Sequence, residues 1–170
     1  MLLRIICGVY GLFLLTPAFA NPEGAPWGSS DPDTFQSCAA CHFDNEPVGR
    51  SPAITVSGLP EYATAGADYE LSLRFETAGA AHAGFLLSAS SGAFEAVDEF
   101  LEARGGEIRS VKPQTPEEGA VVWVFRWRAD DATDGEVTFK AAANGADDDR
   151  SPFGDKIHFR KFDVLTRSGE

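Results

Sequence analysis

Hydrophobic and polar residues alternate along the chain after Pro52, with the period of two that is typical of β-strands. The clearest segment is AVVWVFRWRAD, residues 120–130, whose two faces differ in polarity. One face carries Val121, Trp123, Phe125 and Trp127, and the other carries Val122, Val124, Arg126 and Arg128. This pattern predicts a strand that turns its aromatic face towards a hydrophobic core.

Further short segments have strand-like patterns and are separated by turn signals. They are AITVSGL (53–59), YATAGADYELSLRFE (62–76, with a turn at Gly66), AGFLLSAS (83–90), EIRSVKP (107–113), GEVTFKAAANG (135–145) and GDKIHFRKFDVLTR (154–167). In the last segment, Ile157 and Phe159 alternate with His158 and Phe162. About seven strands at this spacing predict a mainly β protein, an antiparallel β-sandwich.

One segment, GAFEAVDEFLEARGG (92–106), departs from the period of two. Phe94, Val97, Phe100 and Leu101 recur at helical spacing and are followed by two glycines. We predict a short amphipathic helix, or an ordered loop, that packs on the sandwich. A single apolar stripe indicates contact with the core rather than with a partner protein.

The N-terminal residues 1–20 are predicted to be a signal peptide that is cleaved on export. Arg4 precedes an apolar run from Ile5 to Leu15, and Ala18-Phe19-Ala20 forms a small-x-small cleavage site. The apolar run is shorter than the roughly 20 residues that a membrane span needs. We therefore expect an exported protein, periplasmic or extracellular, without membrane insertion.

The composition indicates one globular domain with an acidic surface. The 170 residues carry a formal net charge of −12, and removal of Arg4 with the leader makes the charge more negative. Such a charge repels nucleic acid and anionic lipid, and it favours basic partners. About 150 residues are enough for one domain with its own core.

The segment QSCAACHFDNEP, residues 36–47, contains the pattern Cys-x-x-Cys-His at Cys38, Cys41 and His42. Export removes Cys7, the third cysteine of the chain. A thioredoxin-like dithiol would need a flanking βαβ pattern, which the sequence lacks. A structural zinc site would need four ligands. A disulfide between Cys38 and Cys41 would close a very short loop and stabilise little.

Covalent attachment of a haem would account for the spacing of this motif. Residues three apart lie on the same side of a helical turn, so two thiols so placed can each bond one haem vinyl group. The following residue, His42, would then supply the proximal imidazole. The motif is the attachment signature of c-type haem, and over these five residues the chain resembles c-type cytochromes.

The resemblance to the familiar small cytochromes c implies a methionine on the distal side of the haem. This chain differs from them there. Their distal methionine has no counterpart, because Met1 is the only methionine of the chain and belongs to the leader. His158 and His82 are the histidines left as distal ligands, and lysine, water or an open position are the alternatives. Without methionine we expect a lower reduction potential.

The run ADDDRSPFGD, residues 146–155, is the other cluster of chemical interest. Its carboxylates at Asp147, Asp148, Asp149 and Asp155 are of the type that binds calcium, although their spacing matches no known calcium loop. Solvated turns are the plainer interpretation of such a run. The sequence also contains no arrangement that indicates acid–base or nucleophilic catalysis, so an electron-transfer protein is expected rather than an enzyme.

The segment WVFRWRADDATDGEVTFKAAANGADDDRSPFGDKIHF resembles the reelin-domain-like β-sandwich of exported bacterial proteins, often called the choice-of-anchor V type. The matching positions are Trp127-Arg128-Ala129, Gly135, Val137, Phe139, Ala141-Ala142, Asn144-Gly145, Ser151-Pro152, Gly154-Asp155 and Ile157. GLPEYATAGADYELSL and AGFLLSA match the early strands of that family, and Asp130 departs from it where proline is usual. The resemblance implies an immunoglobulin-like fold, commonly with Cys-x-x-Cys-His just before it.

Three regions are therefore expected: a signal peptide (1–20), a haem-binding segment (21–51) and a reelin-like β-sandwich (52–170). The leading hypothesis is an exported monohaem c-type cytochrome that passes single electrons to a redox partner protein. One alternative is a non-redox binding or adhesion module with a Cys38–Cys41 disulfide. Another is a haem sensor with an open distal site.

Overall fold

Two β-sheets pack face to face in the computed structural model, which describes residues 24–34, 37–77, 79–131, 135–147, 149, 151 and 153–168. The predicted signal peptide lies outside these residues. The strands are β1 (Ile54–Ser57), β2 (Tyr62–Thr64), β3 (Asp68–Glu76), β4 (His82–Ala89), β5 (Ala93–Ala96), β6 (Leu101–Arg104), β7 (Glu107–Ser110), β8 (Ala120–Arg128), β9 (Gly135–Ala146) and β10 (Lys156–Arg167). The predicted β-sandwich is confirmed.

One sheet has the strand order β1-β3-β8-β5 and the other has the order β2-β10-β9-β4-β7-β6. Neighbouring strands are antiparallel with one exception, since β2 runs parallel to the C-terminal end of β10. The longest pairing joins β9 and β10, from Gly135 opposite Thr166 to Gly145 opposite Lys156. The described strands exceed the predicted seven, because β2, β5 and β6 are three or four residues long and give weak sequence signals.

The core forms where the apolar faces of the two sheets meet. On β8 the predicted aromatic face is buried and the face with Arg126 and Arg128 is exposed, so the alternation predicted for this strand is confirmed. Leu71, Leu73 and Phe75 of β3 are buried beside it. The predicted turn at Gly66 is present, with the positive φ of 71° that glycine adopts without strain.

The helix predicted over residues 92–106 is wrong, because this segment forms β5 and β6. Phe94 and Leu101 are buried, whereas Val97 and Phe100 are 43% and 40% exposed. The side chain of Asp98 accepts a hydrogen bond from the backbone N–H of Phe100 and turns the chain between the two strands. β5 pairs with β8 and β6 pairs with β7. These pairings therefore decide the structure of the segment, although its apolar residues recur at helical spacing.

The segment before β1 lies on the outer face of the larger sheet. The Arg109 side chain stacks on Trp27 at 4.3 Å and donates a hydrogen bond to the Ala25 carbonyl. Ser30 donates to Ser88 at 2.8 Å, and Asp31 pairs with Lys140. These contacts hold the segment against β7, β4 and β9.

Backbone hydrogen bonds fix the end of this segment to the free side of β10. Val48 N–H donates to Ile157 O at 2.9 Å, and Phe159 N–H donates to Val48 O at 2.9 Å. Ser51 N–H donates to Phe159 O at 2.8 Å. Within the described part of the chain, helices of membrane-spanning length and apolarity do not occur.

Candidate functional site

The Cys-x-x-Cys-His motif forms a single helical turn. A 3-10 helix runs from Cys38 to Ala40, and the N–H groups of Cys41 and His42 both donate to Cys38 O, at 3.4 and 3.2 Å. Both thiols are free. The turn therefore brings the two cysteines and the histidine together, as the spacing predicts.

The two thiols lie in different surroundings. Cys38 packs with Ala39 against Ala142, Ile157 and Phe159 on the outer face of the sheet. Its thiol lies 3.5 Å from Ser29 Oγ. Burial raises the pKa of the Cys38 thiol, and the weaker hydrogen bond with Ser29 only partly offsets this effect. Cys41 is exposed.

The imidazole of His42 lies against a buried carboxylate. Nδ1 of His42 is 2.7 Å from Oδ2 of Asp155, whose side chain is 3% exposed. The two atoms do not form a well-aligned hydrogen bond, so this is a close polar contact between the ring and the carboxylate. It engages Nδ1 and leaves Nε2 as the ring nitrogen for a metal.

The carboxylate of Asp155 is itself held in place. Asn144 on β9 donates from Nδ2 to Asp155 Oδ2 at 2.9 Å. Asn45, just after the motif, donates from Nδ2 to the backbone carbonyl of Asp155 at 3.0 Å. This association could not be predicted from sequence, because His42 and Asp155 are far apart in the chain and Asp155 is part of the acidic run.

Two phenylalanines expose their rings beside the motif. Phe43 follows His42, and Phe153 precedes Gly154 and Asp155. Their rings meet edge to face with centroids 5.5 Å apart, and the residues are 61% and 51% exposed. This pair is an apolar surface next to His42, and a flat apolar group bound there would cover it.

His158 lies on the opposite side of the sheet from Cys38. It is buried near the core, where Nδ1 is 2.7 Å from Ser51 Oγ and the ring packs edge to face on Phe75. Burial, followed by the charge of Lys156, lowers the pKa of His158. The neighbouring strand residues Ile157 and Phe159 point the other way, towards Cys38. The structure therefore does not bring His158 together with the motif.

His82 begins β4 and is half-buried. It alternates with Ala83 and Phe85, which belong to the core, so its side chain is on the outer face of the sheet. Nδ1 of His82 lies 3.5 Å from Thr115 Oγ1. Of the two predicted distal ligands, His82 is thus the one that shares a face with the motif.

The acidic run forms turns that its own carboxylates cap. Asp147 accepts from the N–H of Asp149, and Asp149 accepts from the N–H of Ser151. Among the described residues, no three histidine, cysteine or acidic side chains converge as a metal site. Asp148, one of the predicted calcium ligands, lies outside those residues, and calcium stays a prediction.

The residues of the motif fit a covalent haem in three respects. Two free thiols lie one turn apart, the next residue keeps Nε2 for a metal, and an exposed aromatic pair stands beside it. A buried carboxylate on the other ring nitrogen is the usual support of a metal-binding histidine. Attachment at Cys38 requires its thiol to leave Ser29 and the sheet.

Comparisons with known proteins bear on the fold alone. No protein-family profile matches the chain, and no curated protein matches it. The Reelin-N domain of F-spondin superposes with a TM-score of 0.53 at 20% identity, over 76% of this chain and 95% of that domain. Two fragments of the human F-spondin reeler domain give TM-scores of 0.52 and 0.51 at 17% and 16% identity.

These two fragments are matched over 94% and 99% of their length, and they cover 72% and 76% of this chain. Identities this low show a shared architecture and carry no activity across. The chain has a reelin-like β-sandwich fold.

Proposed function

We propose that the protein is an exported monohaem c-type cytochrome whose haem lies on the outer face of a reelin-like sandwich. The observation that carries the proposal is the turn of Cys38, Cys41 and His42, in which Asp155 engages Nδ1 of the histidine. Cys38 and Cys41 would hold the haem through thioether bonds, and His42 would bind the iron through Nε2. When bound, the haem supplies a reversible one-electron change at iron.

The surrounding residues have separate roles in this proposal. Phe43 and Phe153 would cover part of one edge of the macrocycle and exclude water from it. The ion pair between Asp31 and Lys140 and the stacking of Arg109 on Trp27 hold the segment with the motif on the sheet. A site held on a rigid sheet reorganises little when the charge of the iron changes, which favours electron transfer.

The sixth position of the iron cannot be filled by methionine, since Met1 is the only one in the chain. His82 is on the same face as the motif, and His158 is on the opposite face. We therefore propose His82 as the distal ligand. An open position, as in the sensor hypothesis, is the alternative. A low-spin spectrum that becomes high-spin in His82→Ala, but not in His158→Ala, supports this assignment.

Intact mass under denaturing conditions tests the proposal. The mature protein, made together with haem-maturation machinery, should be heavier by one haem, because thioether bonds survive denaturation. Cys38→Ala and Cys41→Ala together should abolish the gain, whereas His82→Ala should retain it. A mass that shows no haem and two fewer hydrogen atoms would instead indicate a Cys38–Cys41 disulfide and the non-redox binding module.

A further inference from the structure

The contact between His42 and Asp155 supports an inference that rests on the proposed haem site and deepens it. We infer that Asp155 is a positioning residue: its carboxylate keeps the ring proton of His42 on Nδ1, presents Nε2 to the iron, and keeps the reduction potential of the haem low.

The choice between the two neutral forms of His42 follows from charge. Nδ1 lies 2.7 Å from Oδ2 of Asp155. If the proton were on Nε2, the lone pair of Nδ1 would face a carboxylate oxygen at that distance, which is repulsive. With the proton on Nδ1 the contact is attractive, and a small rotation of the ring would align it as a charge-assisted hydrogen bond.

Burial makes the preference stronger. Asp155 is 3% exposed, and within the described part of the chain Oδ1 has no hydrogen-bond partner. Asn144 donates to Oδ2, and the ring of His42 lies beside the same oxygen. A buried carboxylate that is short of donors gains most from any N–H group placed beside it. The carboxylate of Asp155 therefore favours the form of the His42 ring that has an N–H group at Nδ1.

The chain around Asp155 ties this carboxylate to the motif. Asp44 accepts from the N–H of Gly154 at 2.8 Å, and Asn45 donates to the carbonyl of Asp155. Asp44 and Asn45 lie two and three residues after His42 in the sequence. The motif and the carboxylate thus move together. This is the arrangement that a supporting residue for a metal ligand requires.

The redox consequence has a definite sign. A carboxylate that accepts from Nδ1–H makes Nε2 a more basic ligand. A more basic ligand and a nearby negative charge both stabilise ferric iron more than ferrous iron, and hydrogen bonding of this kind is one means by which a protein sets a haem potential. Asp155 therefore lowers the potential, in the same direction as the missing methionine.

The nitrogen-15 shifts of the His42 ring test the positioning role without haem. We expect protein made without haem maturation, measured at pH 9, to carry the ring proton on Nδ1. In Asp155→Ala the Nε2-protonated form, which a free histidine prefers in water, should become dominant. Asp163→Asn is the matched control, because Asp163 lies on β10 and bonds Thr138 instead. It should leave the His42 shifts unchanged.

The reduction potential of haem-loaded protein tests the second part. Asp155→Asn keeps the size of the side chain and removes its charge, so the potential should rise relative to wild type and to Asp163→Asn. A wild-type ring with its proton on Nε2 overturns the inference, and so does an unchanged potential in Asp155→Asn. If no haem attaches but the ring proton is on Nδ1, the positioning role stands and the proposed function fails.

Discussion

Cys38 and Cys41 belong to one helical turn but differ in their access to solvent. Cys38 is half-buried beside Ser29 and the outer face of the sheet, whereas Cys41 is exposed. The thiolate is the reactive form of cysteine, and burial disfavours the thiolate of Cys38. The two cysteines of the motif therefore differ in chemical reactivity.

We predict that iodoacetamide modifies the two thiols at different rates in the folded protein without haem. At pH 8 the cysteine left in Cys38→Ala, which is Cys41, should react faster than the cysteine left in Cys41→Ala, because burial and a raised pKa leave less accessible thiolate at Cys38. Mass spectrometry of timed samples measures both rates. The difference should vanish in guanidinium chloride, and equal rates in the folded protein would contradict the described burial of Cys38.

His158 gives the fold a pH dependence whose sign is set by burial. Its folded-state pKa is lowered, so below about pH 6.5 the unfolded chain binds a proton that the folded protein excludes. The free energy of unfolding should therefore fall as the pH drops from about 6.5 towards the lowered folded value.

Urea unfolding at pH 7.5 and pH 5.0 tests this effect against His158→Gln, which keeps a polar group near Ser51. Wild type should lose more stability between the two pH values than the variant does. The other groups that titrate in this range are common to both proteins, so their contribution cancels. An equal loss in both proteins would show that His158 does not carry the pH dependence.

At the scale of elements, the buried and exposed faces of β8 should contribute differently to the free energy of unfolding. Phe125 is fully buried, whereas its neighbour Val124 is 38% exposed on the other face. We predict that Phe125→Ala lowers the free energy of unfolding by about 3–5 kcal/mol, because it leaves a cavity between the sheets. Val124→Ala should cost less than about 1 kcal/mol. Denaturant titration measures both, and similar costs would contradict the described facing of the strand.

The long strands could be predicted from sequence because their two faces are in different environments. In β3, β8 and β9 every second side chain enters one core, so burial is encoded as a period of two. The segment that forms β5 and β6 could not be predicted in this way. Its strands have four residues each, and its helical spacing is overruled by pairing with distant strands.

The candidate site was only partly predictable for a similar reason. Cys38, Cys41 and His42 are neighbours in sequence, so local spacing brings them together. The contacts of His42 with Asp155, and of Asp155 with Asn144, join the N-terminal segment to the end of the domain. The two faces of β10, which separate His158 from the motif, follow from a register that only the folded sheet defines.

At the scale of the whole molecule, the core and the motif lie on opposite faces of the larger sheet. The inner faces of the sheets make the core, and the outer face of the larger sheet contacts the segment with the motif.

The formal net charge of −12 gives the protein a negative electrostatic field. Electron exchange with a small basic redox partner should therefore be faster than with an acidic one, and stopped-flow rates with the basic partner should fall as salt is added.

The pyridine haemochrome spectrum of the mature protein, made with haem-maturation machinery, tests whether haem is attached to Cys38 and Cys41. We predict one haem per chain with the α-band of a haem that has two thioether bonds. Cys38→Ala or Cys41→Ala should shift this band to that of a single thioether. A wild-type protein without a haemochrome band, under conditions in which a control c-type cytochrome matures normally, would contradict the account.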